Sequence, residues 1–264
     1  MPSVIETFVA VGDSFTEGLD DFYADGSVRG WADRVAELIA SGPGSVNYAN
    51  LAVRGKVLRQ IVEDQFPVTL AAQPDLITFS AGANDILRPG SDPDAVGERF
   101  DDALATLTTT GARILVFVGM DPGRTPVVRL VRGKVAIYNE HMRMSATRHG
   151  CEVVDLWALT PLRDPRAWGQ DRVHLSPAGH DRVARLVAQI LGLPSFDPYE
   201  GWDHPATPKT RRDDLQWTRD FFLPWLGRRI RGRSTGDGYS AKRPALEPFR
   251  APVRDEPARE DEPA

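Results

Sequence analysis

The chain has 264 residues, a formal net charge of −5 and one cysteine. That length suits one large domain or two small ones, with room for a well-buried core. The mild acidity gives no electrostatic footprint for nucleic acid, and a lone Cys151 excludes an internal disulfide and a thiolate metal cluster.

The chain enters its first apolar run, Thr7–Val11, almost at once, with Glu6 just before it and no basic stretch leading an apolar one. No secretory signal is visible in that pattern. No apolar run approaches the ~20 residues needed to span a bilayer. The expectation is a soluble, cytoplasmic protein with no stable membrane insertion.

Short apolar runs that read as strands fall at 6–12, 46–52, 75–81, 113–119 and 151–157. Helical patterns near 31–40, 56–66, 94–109, 131–148 and 177–191 alternate with them. The last has a clear start, Ser176 at the cap and Pro177 in the first turn, and an apolar stripe of Val183, Leu186, Val187, Ile190 and Leu191. Cys151 opens the fifth strand and reads as a buried thiol. Five β–α units imply a parallel sheet covered by helices on both faces, a three-layer α/β/α sandwich with five strands. Sites in such sheets lie beyond the carboxyl ends of the strands.

After Leu193 the composition shifts. Residues 195–243 form a basic and aromatic extension, and 205–243 hold ten Lys/Arg against four Asp/Glu, including the run Arg228–Arg233. Within 211–226, Leu215, Phe222 and Leu226 line one helical face, with Phe221 and Trp225 nearby. Burying each large side chain is worth roughly 1.5–3 kcal/mol, so this stretch is expected to pack on the domain formed by residues 1–194 or on a partner subunit. Residues 244–264 are proline-rich and charged, the composition of a disordered tail.

Three segments sit just past strand ends: Gly12-Asp13-Ser14, Asn50-Leu51-Ala52-Val53-Arg54-Gly55 and Gly82-Ala83-Asn84-Asp85. A fourth, Asp171-Arg172-Val173-His174, precedes the last helix. A serine becomes a nucleophile when a base takes its proton and donors receive the charge that develops on the attacked carbonyl. Ser14 also suits a helix start, and the two roles agree, because a helix start aims N–H groups at one spot. His174 stands apart from the other four histidines because Asp171 precedes it by three residues. A turn can then fold the carboxylate onto one ring nitrogen, fixing the tautomer and stabilising the imidazolium. Taken singly, Gly55 can simply end a strand, and Asn84 and Asp85 can be turn residues. Arg54 reads as a surface arginine or an anion binder, and Trp168 as a core anchor or a pocket wall.

Taken together, the four segments resemble the GDSL, or SGNH, family of serine esterases and lipases. The resemblance covers about residues 5–193 and implies a flavodoxin-like sheet. It implies Ser14, Asp171 and His174 as the triad, with the Ser14 and Gly55 backbone N–H groups and the Asn84 side chain as the oxyanion hole. Asp13 and Asp85 read as supporting carboxylates. Phe15 replaces the family's usual leucine after the serine and should reshape the pocket, with Trp168 as a further pocket residue.

The reaction expected is acyl transfer from a small-molecule ester to Ser14, then deacylation by water, with no cofactor. No metal site is expected, since no two histidines have ligand-like spacing and the carboxylates form no ligand-like cluster. The lack of a long apolar lid favours short-chain or acetyl esters. An acyltransferase passing the acyl group to an alcohol would use the same residues. A reading of another class is a module that binds anionic surfaces through the basic C-terminal segment.

Overall fold

The computed structural model describes residues 4–42, 45–123, 128–204, 206, 210–224 and 236–249. Its sheet has six strands in the order β5-β4-β3-β1-β2-β6. The first five are β1 (Thr7–Val11), β2 (Asn47–Asn50), β3 (Leu76–Phe79), β4 (Arg113–Val118) and β5 (Glu152–Asp155). All five run parallel, and their order is flavodoxin-like, as expected. Alternation along each strand feeds two cores. Phe8 and Ala10 of β1 face one core, and Val9 and Val11 face the other.

Helices α1 (Ser14–Glu17) and α2 (Gly30–Ala40) follow β1. Next come α3 (Leu58–Ala72), α4 (Ala83–Ile86), α5 (Pro93–Thr108), α6 (Arg132–His149) and α7 (Pro177–Leu191). Residues of α2 and α7 cover one face of the sheet, and those of α3, α5 and α6 cover the other. The helical pattern ended near residue 66, but α3 runs through Pro67 to Ala72. Pro67 and Glu63 are both exposed, so the carbonyl that loses its N–H partner faces water.

The sixth strand corrects the five-stranded expectation. β6 (Arg243–Pro248) pairs antiparallel with β2, so residues 244–248 are strand rather than disordered tail. Its two prolines hide it from a strand reading, yet an edge position tolerates them because one side of the strand needs no ladder partner. Phe249 follows, donates its N–H to the Val46 carbonyl at 2.8 Å, and is buried against Tyr48. Arg243 lies over both rings.

Helix α8 (Arg211–Trp217) departs from the expected packing. Leu215 is 72 % exposed, whereas Trp217 is buried. Two residues along a helix turn the side chain to another face, so one buried residue excludes the other. Phe221 is half-buried; Trp225, Leu226 and the Arg228–Arg233 run lie outside the described residues. Among the described residues no helix is long and apolar enough to cross a membrane. Cys151 is half-buried, and burial pushes its thiol up to about 11, leaving it protonated and unreactive at neutral pH.

His180 of α7 is a buried structural histidine. Its Nδ1 accepts from the Trp31 N–H at 3.2 Å and its Nε2 lies 3.0 Å from the Leu19 carbonyl, so the neutral ring is protonated on Nε2. Burial lowers its pKa to about 4. A group depressed in the folded state contributes stability above its unfolded pKa of about 6.5, and that share is lost as pH falls toward 4. His180→Ala should therefore destabilise the protein by about 2–4 kcal/mol at pH 7 by leaving the buried Trp31 N–H and the part-buried Leu19 carbonyl without this partner. Urea unfolding at pH 7 and pH 4.5 checks this; an equal loss at both values would contradict the buried neutral ring.

Candidate active site

β1 ends by delivering Gly12, Asp13 and Ser14 to the carboxyl edge of the sheet. Gln65 of α3 grips this turn twice: its Oε1 accepts from the Gly12 N–H at 2.9 Å and its Nε2 donates to the Gly12 carbonyl at 2.8 Å. A Cβ on Gly12 would lie 2.5 Å from Thr16 Oγ1 and 2.8 Å from the Ser80 carbonyl, so the close approach requires glycine. The helix cap is Asp13, which accepts from the Phe15 N–H at 3.1 Å. Ser14 is the first residue of α1, where helix N–H groups lack internal partners. The half-buried Phe15 ring joins Trp31 and Phe117 in an aromatic cluster, with centroids 5.5 and 5.6 Å away.

The loops after β2 and β3 lock onto this turn. Asn84 Nδ2 donates to Asp13 Oδ2 at 3.1 Å and to the Lys56 carbonyl at 3.0 Å. Gly55 occupies the intervening loop with φ +75°. Asp85 accepts from the Leu58 N–H at 2.8 Å and thereby fixes the start of α3. Arg54 is neither a free surface residue nor a free anion binder. Its backbone N–H and guanidinium both bond the buried carboxylate of Glu17, and the guanidinium lies 4.4 Å from the Tyr239 ring centroid.

Asp171 and His174 meet as expected. Asp171 Oδ2 lies 2.5 Å from His174 Nδ1, and Oδ1 accepts from the Val173 and His174 N–H groups at 2.9 Å. Trp168 closes the base of this loop. Its indole N–H donates to the Leu162 carbonyl at 2.7 Å and its part-buried ring packs against the core, in keeping with the anchor reading.

Three carboxylates surround the ring. Burial opposes an imidazolium at His174, but the hydrogen bond and charge of Asp171, followed by the charges of Asp20 and Asp13, outweigh it and hold the pKa above the ordinary histidine value. Burial raises Asp13 to about 6, against the Phe15 N–H, the His174 charge and the Asn84 amide. Asp13, next to Ser14 in the chain, and His174 each favour the charged form of the other. The Ser14 hydroxyl and the ring do not hydrogen-bond one another here. Free enzymes often show this slack before substrate tightens the site.

Asp20 was not foreseen. It has a left-handed backbone, φ 68°, and approaches so closely that a Cβ on Gly169 would lie 2.1 Å from its Oδ2. Asp20, Asp171 and His174 offer ligand atoms within 4.8 Å of one another, the only such group among the described residues. The absence of ligand-like sequence spacing does not bear on this group, because Asp20 comes from a distant loop. His174 Nδ1 is already committed to Asp171, so a cation would compete with that pair. Gln65, Glu17 and Trp217 were also unforeseen; each acts through a long-range bond with no local pattern. Only the buried position of Gln65 in an amphipathic helix hints at a role.

No curated protein matches the chain. The fold does match solved structures. An α/β hydrolase enzyme from the metagenome of Lake Arreo, Spain, aligns with TM-score 0.60 at 20% identity, over 71% of this chain and 95% of that one. An acetylxylan esterase from Geobacillus stearothermophilus aligns with TM-score 0.60 at 19% identity, over 75% and 97%. A lipase/acylhydrolase from Enterococcus faecalis aligns with TM-score 0.58 at 21% identity, over 73% and 100%. The family model described as GDSL-like lipase/acylhydrolase matches residues 10–182, a span that holds all four segments of the site. The chain belongs to the GDSL-like lipase/acylhydrolase family.

Proposed function

We propose that the protein is a serine-dependent carboxylic-ester hydrolase acting through an acyl-enzyme on Ser14. The observation that carries this reading is the 2.5 Å Asp171–His174 pair, whose ring is also subject to the charge of Asp13, the neighbour of Ser14. His174 takes the Ser14 proton as Oγ attacks the ester carbonyl, and returns it to the departing alkoxide. Water activated by the same ring then releases the acid and regenerates Ser14. Asp171 keeps the proton on Nδ1, so Nε2 is the accepting nitrogen.

The oxyanion is received by the Ser14 and Gly55 N–H groups and by Asn84. Both Asn84 amide hydrogens are already used, on Asp13 and on Lys56. The amide therefore serves the oxyanion by giving up the Lys56 carbonyl while Asp13 keeps its orientation. Phe15 closes the floor of the site with Trp31 and Phe117, and bulky rings there suit a small acyl group. Acetyl and other short-chain esters are the proposed substrates, in keeping with the acetylxylan esterase among the structural neighbours.

A series of p-nitrophenyl esters tests the chemistry and the pocket together. Turnover should be highest for acetate and fall with chain length, and Ser14→Ala should lose at least about 10³ in kcat while staying folded. A fluorophosphonate should label Ser14 alone. Labelling of another serine with Ser14→Ala fully active would overturn the assignment.

The pH profile tests the base. Activity needs neutral His174, whose pKa is held above 6.5, so kcat/KM should rise along a limb centred above pH 6.5. Asp171→Asn should lower kcat by about 10⁴, the loss seen in chymotrypsin-type triads, and move that limb to lower pH. Activity should survive EDTA; loss in chelator with recovery on adding zinc would assign the Asp20, Asp171 and His174 group to a metal instead.

A further inference from the structure

We propose that helix α8 is a positioning element of the active site, holding the Asp171–His174 loop in place through Trp217 and Arg172. The inference rests on the triad reading above and adds a part of the chain beyond residue 182, where the family match ends.

The loop from Gly169 to His174 is a short excursion closed by its own backbone. The Gly169 N–H donates to the His174 carbonyl at 2.8 Å, and the Arg172 N–H to the Gly169 carbonyl at 3.1 Å. Arg172 sits at φ 57°, a left-handed conformation that an arginine holds only when its surroundings enforce it. The Asp171 carboxylate is fully engaged with Val173 and His174, so the residue's remaining handle is its backbone carbonyl. That carbonyl accepts from Trp217 Nε1 at 2.7 Å, across 46 positions of sequence.

Arg172 makes the second attachment. Its guanidinium pairs with Asp214 at 2.6 Å, donates to the Asp213 carbonyl at 3.3 Å, and lies 5.2 Å from the Trp217 ring centroid. The arginine side chain is 12 % exposed but its partner Asp214 lies open to water, so the bond from the buried Trp217 is the better sheltered of the two attachments. The helix itself has a fixed start: the Asp213 N–H donates to Thr210 Oγ1, and Asp213 Oδ2 accepts from the Thr210 N–H at 2.7 Å. Two adjacent loop residues, one of them the orienting acid, are thus tied to one capped helix. Loosening that tie lets Asp171 and His174 drift from the geometry in which the ring accepts the serine proton, and small displacements of this kind are costly to rate.

Trp217→Phe in the full chain keeps an aromatic ring at this position but removes the indole N–H together with the five-membered ring that carries it. We expect kcat on p-nitrophenyl acetate to fall between about threefold and tenfold, the worth of one hydrogen bond, with KM within twofold. The acid limb of kcat/KM should move to lower pH as the Asp171–His174 pair weakens, and the rate of fluorophosphonate labelling at Ser14 should fall in proportion to kcat. Asp214→Arg, at an exposed position that leaves the fold intact, sets a like charge against Arg172 and should produce the same changes. Both variants at wild-type kcat and pH profile, with Ser14→Ala inactive, would overturn the positioning role and leave the serine assignment standing. An active Ser14→Ala would instead remove the reading on which the role rests.

Discussion

Asp13 is a carboxylate placed where water hardly reaches it, and the site is arranged around the bonds that make this tolerable. One oxygen caps α1 through the Phe15 N–H, and the other holds the Asn84 amide, which in turn holds the Lys56 carbonyl. Through this chain of bonds, the loops after β1, β2 and β3 have one relative position. The burial that lifts its pKa to about 6 shows that the bonds offset only part of the desolvation penalty. In the proposed mechanism the residual cost falls beside Ser14, where the carboxylate's charge would stabilise the imidazolium formed as the serine loses its proton.

Asp20 and Asp171 extend the same field. A histidine ringed by three carboxylates is a stronger base than an isolated one, but it also holds its proton to higher pH. In the proposed mechanism the arrangement would favour proton abstraction and narrow the pH range in which the ring is free to perform it, exchanging breadth of working pH for driving force in the first step.

Strong local patterns made most of this legible in the sequence. The five parallel strands are short apolar runs with turn residues after them, and the chemistry-bearing residues fall at their ends, where an α/β sheet gathers loops. Asp171 and His174 are three residues apart, so one turn suffices to join them. What escaped lacks local pattern. β6 carries two prolines and is a strand only because β2 has an open edge beside it. Gln65 and Asp20 are ordinary polar residues until the fold brings Gly12 and Gly169 against them. Leu215 looked like the apolar anchor of α8, but Trp217 is the buried residue, because its indole finds both apolar cover and a carbonyl to bond.

The edge strand has a consequence for how the protein comes into being. A chain leaves the ribosome from its N-terminus, so Ser14 and the first five strands emerge well before residue 243. Until then β2 has one unpaired edge, and Tyr48 lacks the cover of Phe249 and Arg243. Buried Asp33 meanwhile waits for Lys242, which pairs with it at 2.8 Å. A nascent chain can therefore build most of its core while the edge next to the strand that leads into Ser14 stays open to pairing with another molecule. Closure by β6 ends that exposure, making the last described strand a safeguard against intermolecular association during synthesis.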